Sequence, residues 1–315
     1  MIDSTLTELN THQDELRTIA RRHPWRWVSA LLALAAGTAI VWAFASSPNL
    51  QWNEVGSYLT ARSVIDGIGL TILLTLVAQG MGTVGGIILA VMRRSSNPVL
   101  KMISGLYLWI FRGTPVLIQI IFWYNLALIF PAVALHIPFT SIGFSVATNS
   151  LITPVAAAII ALGLNEAAYM AEIVRGGLIS VEQGQSEAAA TIGMTGGQAM
   201  RYVILPQALR TIVPPTGNEL INMLKNTSLV SVIAARELLT ASQQIYGVNY
   251  LVIELLIVAS IWYLALSTVA SLAQTYLERR LQVVLRVRPQ PWTTRAANHL
   301  TSLRSAANLT SDGKS

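Results

Sequence analysis

Two ionisable side chains stand inside runs of the sequence that are otherwise apolar: Lys225, about 13 residues into the stretch 212–235, and Glu166, inside the stretch 154–173. A charge in hydrocarbon is costly and marks a solute path, a partner charge or ion movement. Asn218 and Asn222 share a helical face with Lys225 at spacing i, i+4, i+7, and Asn165, Tyr169 and Glu172 form a polar stripe beside Glu166. That pattern allows two chemistries. Lys225 and Glu166 hold a charged solute between them, or they neutralise each other. Gln119 and Asn125, in the run 114–131, are further candidates, for which hydrogen bonding between helices is an equal account.

Other chemistry finds little support. GMGTVG, residues 80–85, satisfies G-x-G-x-x-G but lies within an apolar run, where a nucleotide loop needs a strand before it and a helix after it. Gly82 and Gly86 also make G-x-x-x-G, which predicts close helix packing in a bilayer. SDGKS at 311–315 lacks the glycine that a phosphate loop requires five residues before Gly313. His12, His23, His136 and His299 have no metal-ligand spacing, no H-E-x-x-H or G-x-S-x-G occurs, and the chain contains no cysteine. No catalytic or metal site is expected.

The elements that must position Lys225 and Glu166 follow from composition. Hydrophobic residues are 53% and charged residues 11% of the 315, with mean hydropathy +0.54. Runs near the ~20 residues that cross a bilayer occur at 27–45, 64–92, 114–131, 154–173, 212–235 and 250–273. A cleaved signal peptide is the alternative for the first run, since AFA precedes Ser46, but the run is longer than a signal's apolar region. With six spans and both termini inside, 18 of the 21 Lys and Arg lie inside, leaving Arg62, Lys225 and Arg236. The net charge of +6 is therefore topological rather than a sign of nucleic acid. Both tails are polar and lack a sustained apolar period.

One inside stretch, SEAAATIGMTGGQAMRYVILPQAL at 186–209, is amphipathic and stands out from its surroundings. Ser180 with Gln183 predicts a capping-box start, Gly193 a helix end, and Thr195 with Gln198 a second start. Proline lacks an amide donor, so that second helix is expected to break near Pro206. Two short helices hinged at a glycine could form a helix-turn-helix, but Arg201 alone offers charge for phosphates. A helix lying on lipid explains the apolar face without the hinge, whereas a knob docking into a partner's groove explains both.

Glu187, Ala188, Ala189, Gly193, Val203, Leu205 and Pro206 resemble the signature EAA-x3-G-x9-I-x-LP of permease subunits of bacterial ABC importers, with Val203 in place of isoleucine. FRGTP (111–115), AAYMAEIVRGG (167–177), EQGQSEAA (182–189) and MLKNTSLVSVI (223–233) are similar to the permeases for polar amino acids, the histidine/glutamate/glutamine family. The resemblance covers about residues 60–285. It implies an all-α polytopic protein of the bacterial inner membrane with about six transmembrane helices. These would be a five-helix type I importer core (60–285) and one added amino-terminal helix (27–45), with cytoplasmic tails at 1–26 and 286–315. The EAA residues would couple to the ATPase through a cytoplasmic loop at 175–211.

Implied partners are a cytoplasmic ABC ATPase dimer, which would bind ATP and Mg, a second permease subunit, and an extracytoplasmic amino acid binding protein. The chain itself would carry no cofactor, metal or catalysis. An amino acid zwitterion would present its carboxylate to Lys225 and its ammonium to Glu166, with Tyr169, Asn218, Asn222 and Gln119 along the path. Two rivals remain: an ion-coupled secondary carrier using Glu166, Lys225 and Asp66, and a membrane scaffold that recruits a partner without moving solute.

Overall fold

The computed structural model describes residues 24–136 and 143–284, so the expectations for the two tails lie almost wholly outside the described residues. The chain divides into two units, Met1–Trp52 and Asn53–Ser315. In the first, α1 (Pro24–Ala45) is a single helix whose segment Trp27–Ala45 is long and apolar enough to cross a membrane. Its run of Leu, Ala, Val and Ile has no polar face, which suits a helix surrounded by lipid. Trp52 Nε1 donates to Ala45 O at 2.9 Å and its ring meets Phe44 edge-on, closing the turn after α1.

In the second unit, α2 (Trp52–Leu59, all but its first residue in this unit) leads into α3 (Arg62–Arg94), α4 (Pro98–Gly113) and α5 (Val116–Tyr124). A 3-10 turn (Leu126–Leu128), strands β1 (Ala132–His136) and β2 (Gly143–Ala147) and the short α6 (Thr148–Leu151) follow. Then come α7 (Pro154–Ile179), α8 (Gln183–Thr191), α9 (Gly196–Ala199), a π-helical turn (Met200–Ile204) and α10 (Leu205–Asn226). A 3-10 segment (Thr227–Ile233), α11 (Leu238–Asn249) and α12 (Val252–Val284) complete it.

The centre of this unit is α3 against α7. A Cβ on Gly82 would come within 2.6 Å of Glu166 Cβ, one on Gly85 within 2.9 Å of Ala167 Cβ, and one on Gly86 within 2.8 Å of Ala171 N. A Cβ on Gly80 would meet nothing within 4 Å. The expected small-residue packing is therefore made by Gly82, Gly85 and Gly86, which let the two backbones approach. Leu74, Ala78, Ala157, Ala158, Ala161 and Leu162 pack as one cluster along the same seam. The other side of α3 exposes Leu73, Leu76, Val84, Ile88 and Val91, an apolar surface matched to lipid rather than water.

At the other end of α3, α11 is pinned by a fully buried carboxylate. Glu237 caps α11, accepting from Leu239 N at 2.8 Å, Thr240 N at 2.7 Å, Thr240 Oγ1 at 2.9 Å and Tyr263 Oη of α12 at 2.7 Å. Leu238 N donates to Thr71 Oγ1 of α3 at 3.2 Å. With its oxygens thus occupied, the carboxylate can be buried without a cation.

Three expectations are corrected. Among the described residues four helices are long and apolar enough to span, or five if α4 and α5, bent by 101°, count as one span, against the six expected. The expected third span, 114–131, is only the second half of that bent pair, and α4, read as a basic connection, is its first half. The expected fifth, 212–235, is not one apolar helix. Pro214, Pro215 and a row of polar side chains occupy α10, and the chain changes to 3-10 geometry at Thr227. The fold is helical as expected, with one small hairpin between α5 and α6. β1 and β2 pair antiparallel, from Ala132↔Ala147 to His136↔Gly143, because Pro131 forbids helical continuation and Thr148 N closes the loop onto Pro131 O at 3.0 Å.

Candidate functional site

The bend between α4 and α5 is the first wall of the site. Pro115 has no amide to offer the carbonyl of Phe111 four residues earlier. Gln119 Nε2 at 3.1 Å and Asn165 Nδ2 at 2.9 Å donate to it instead. Gln119 Nε2 also reaches Thr114 Oγ1 at 2.8 Å, and its Oε1 accepts from Asn165 at 3.2 Å. Gln119, expected along a solute path, thus holds the bend that turns residues 112–116 inward.

Those residues line a cavity of about 780 Å³ together with Asn165, Glu166 and Tyr169 of α7 and Glu219, Asn222, Lys225 and Asn226 of α10. Of the six residues expected to meet solute, Glu166, Tyr169, Asn222 and Lys225 line it. Gln119 lies in the bend, and Asn218 Oδ1 accepts from Gln274 Nε2 of α12 at 3.2 Å. Glu166 accepts from Gln79 Nε2 at 3.1 Å, which orients the carboxylate. Among the described residues no ion pair joins Glu166 to Lys225, although both face the same space. Glu172, the last of the expected stripe, is neutralised outside the cavity by Arg175 Nη2 at 2.6 Å and Arg93 Nε at 3.8 Å.

Two members were missed. Arg112 lies 5.6 Å from the centroid of the Tyr169 ring, close enough for a cation–π contact, and had been counted as topological charge. Glu219 shares a helical face with Asn222 and Asn226 at i, i+3, i+7, a spacing that would have found it. The cavity therefore holds two cations and two carboxylates, the donor set for a small zwitterion.

The second feature is the segment 180–204. Helix α8 ends as predicted at Gly193, whose φ of +81° is in the left-handed region, with Met194 N bonded to Ala189 O at 3.0 Å. Its start is a correction. Ser180 is the C-cap of α7 and its hydroxyl donates to Gly177 O, so α8 begins after Glu182 without a side-chain cap. The Thr195 capping box forms as expected, with Thr195 N donating to Gln198 Oε1 at 2.8 Å. Thr195→Ala should cost about 1 kcal/mol, read as roughly fivefold faster amide exchange at Gln198; unchanged exchange would show that the cap does not hold α9. Instead of breaking at Pro206, the helix widens into a π turn in which Leu205 N bonds Met200 O, and Pro206 sits in the first turn of α10.

The folded segment buries Ala189 and Ala199 and ties back through Gln207 Nε2 to Gln185 Oε1 at 3.2 Å. Glu187, Ala188 and Gly193 are exposed, as are Ile192 at 72% and Tyr202 at 62%. Val203 and Pro206 are half-buried, and Leu205 is exposed.

Residues 82–283 match the family model of the inner membrane component of binding-protein-dependent transport systems. This chain belongs to that family. The permease is 43% identical over 266 residues to the arginine transport system permease protein ArgU of Corynebacterium glutamicum, covering 83% of this chain and 81% of that protein. It is 31% identical to the glutamine transport system permease protein GlnP of Escherichia coli K12, covering 70% and 94%. A solved amino acid ABC transporter with histidines is 36% identical, with TM-score 0.60 over 69% of this chain and 94% of that one. The MetNI methionine ABC transporter, at 23% identity and TM-score 0.52, shares the fold.

The resemblance to amino acid importer permeases read from the EAA-like residues is borne out, and the fold is that of type I importer permeases. The permease is a multi-pass inner membrane transport component and does no catalysis itself. Family membership sets aside the ion-coupled carrier and the scaffold. Asp66, which the carrier reading required, is 73% exposed and sits 4.0 Å from Arg62 on the surface of α3.

Proposed function

We propose that this permease forms the membrane path of an ATP-driven importer of polar amino acids, with Glu166, Tyr169, Asn222, Lys225, Arg112 and Glu219 around the solute. The observation that carries it is the cavity in which Glu166 and Lys225 face one space without pairing. A charge that faces a cavity among membrane helices without an ionic partner of opposite sign is poised for a ligand charge. The solute's carboxylate would meet Lys225 or Arg112 and its ammonium Glu166 or Glu219. Relatives named for arginine and glutamine support an amino acid as solute.

In this reading the core is residues 60–285, the loop 175–211 and both termini are cytoplasmic, and Trp27–Ala45 is an added span. Glu187, Ala188, Ala189, Gly193, Val203, Leu205 and Pro206 meet one subunit of an ABC ATPase dimer that binds ATP and Mg. A second permease subunit completes the path, and an extracytoplasmic binding protein delivers the solute. Ile192 and Tyr202, exposed beside the EAA residues, supply apolar anchors for the ATPase groove. ATP-driven closure of the ATPases shifts the permease only if the loop binds them differently in the two states.

Lys225→Met is expected to leave the complex assembled while raising the solute concentration for half-maximal uptake by roughly tenfold to a hundredfold, the worth of one charge-assisted contact. The check is uptake against concentration in vesicles carrying the whole complex. An unchanged concentration dependence would remove Lys225 from the solute site.

A further inference from the structure

Helices α3 and α7, each long and apolar enough to span a membrane, end at Arg94 and Ile179. A crevice of about 240 Å³ opens where these two ends meet the start of α8, and Arg94 and Glu182 both line it. The neighbouring Arg93 is paired with Glu172. Among the described residues, by contrast, the side chains of Arg94 and Glu182 make no hydrogen bond or ion pair, with each other or with anything else. One cation and one carboxylate therefore face the same crevice without bridging it.

Water alone could solvate such a pair, but the surroundings are apolar. Leu178, Val181 and Ile204 complete the wall. Val84, Ile87 and Val91 precede Arg94 at i−10, i−7 and i−3, so they share its side of α3, and all three are exposed. Ten residues of helix rise about 15 Å, half of the roughly 30 Å of a bilayer's hydrocarbon. An apolar strip one leaflet deep thus leads to a crevice with one charge of each sign. A phospholipid has the same plan, an acyl chain followed by a phosphate and, in some headgroups, an ammonium. A glycerol headgroup brings no cation for Glu182, and a choline headgroup brings a cation with no N–H to donate. A primary ammonium supplies both.

We propose that this crevice seats a phospholipid whose headgroup carries a primary ammonium. Its phosphate meets Arg94, its ammonium meets Glu182, and an acyl chain lies along Val91, Ile87 and Val84. A free amino acid offers the same two charges but nothing to cover the strip. Gln183 and Ser186 also line the crevice, and Gln183 Nε2 holds Glu187 Oε1 at 3.0 Å. Since α8 starts without a side-chain cap, a headgroup bound at Glu182 steadies its first turn. The proposal requires only that α3 and α7 span the membrane, and it is independent of the solute carried.

The test is native mass spectrometry of the full-length chain, delipidated in detergent and titrated with dioleoyl lipids bearing ethanolamine, choline or glycerol headgroups. The first ethanolamine lipid is expected to bind about tenfold tighter than either of the others, the lower end of what a charge-assisted hydrogen bond contributes. Glu182→Gln should bring ethanolamine to within about twofold of choline, and Arg94→Gln should weaken all three by about tenfold. Arg93→Gln breaks the pair with Glu172 but leaves the crevice lining unchanged, and should keep the wild-type preference.

Equal binding of the three headgroups overturns the proposal, as does a preference that survives Glu182→Gln or one lost to the same extent in Arg93→Gln. Displacement of the lipid by an excess of free glutamine or O-phosphoethanolamine would also overturn it, because a soluble zwitterion would then suffice without the strip. Amide exchange in nanodiscs gives a second reading. Gln185 N bonds Glu182 O at 3.0 Å in the first turn of α8, and its exchange should be about fivefold slower in ethanolamine than in choline lipid, with no difference in Glu182→Gln. Equal wild-type rates in the two lipids would remove the headgroup from the start of α8.

Discussion

A chain carrying Glu187→Arg and Gly193→Asp is expected to leave the membrane without its ATPase. Gly193 holds φ of +81°, and a side chain there strains the turn by roughly 1 kcal/mol or more. That turn sets the angle between α8 and α9, so strain displaces the exposed Ile192 and Tyr202 together. Glu187 is exposed, and Gln183 Nε2 holds its Oε1 at 3.0 Å. Reversing this charge at a docking surface adds like-charge repulsion or strands a partner cation, a cost of a few kcal/mol. Together these losses correspond to at least a hundredfold, on the order of 3 kcal/mol, enough to lose a partner during washing. Tagged wild-type and variant chains, purified from the native membrane side by side, decide the matter. Gly184→Asp is the control, since a Cβ there meets nothing within 4 Å. Equal ATPase recovery with both variants would mean that the loop is not the docking element.

The other large effect is expected at Gly86. A Cβ there would lie 2.8 Å from Ala171 N and 2.9 Å from Met170 C, both backbone atoms, so the clash cannot be relieved by turning a side chain. Leucine at this position must push α3 away from α7 along the most extensive helix pair among the described residues. Overpacking typically costs about 1–3 kcal/mol where side chains can adjust, and here backbone must move. Gly86→Leu should therefore give no folded, monodisperse chain on size-exclusion chromatography in detergent. Gly80→Leu, six residues away on the same helix and facing open space, should behave as wild type. If both variants elute alike, close approach at the glycines is not what holds α3 to α7.

How much of this could be read beforehand depended on whether a helix faces lipid alone or also the cavity. The runs at 27–45, 64–92 and 250–273 each lie within one long helix or nearly so, because a long apolar surface leaves a strong signal, and 154–173 was legible too because the polar residues of α7 come only after an unbroken apolar stretch, 154–164. In α4 and α10, which also line the cavity, polar residues and prolines are spread along the length and obscure that signal. α10 carries Asn218, Glu219, Asn222 and Lys225 together with two prolines, and was taken for a simple span. α4 presents Lys101 and Arg112, and was taken for a connection. In the site, residues marked by charge against an apolar background, Glu166 and Lys225, were legible. Arg112 was not, because its place in the cavity comes from a bend of 101° that depends on Gln119 and Asn165, the second of them 54 residues away from the Phe111 carbonyl it bonds. Gly193 and Thr195 were legible because backbone geometry and capping are local, whereas the start of α8 was misread since Ser180 had a partner in its own preceding turn.

The π turn at Met200–Ile204 sets a constraint on length as well as on shape. Each residue turns an α-helix by about 100°, and a π turn accommodates one more residue than an α turn over the same rise. Removing one residue from this turn would return it to α geometry with little change of phase, whereas the α-helical stretch that follows, 205–213, has no such slack. Everything beyond a deletion in that stretch would rotate by roughly a quarter-turn relative to the loop, carrying Lys225 and Asn222 out of the cavity wall while every residue in it stayed the same. The spacing between the exposed loop and the charged wall is thus a phase relation, and single-residue insertions or deletions between Leu205 and Pro214 should be far less tolerated than substitutions at the same places, or than a deletion within the π turn.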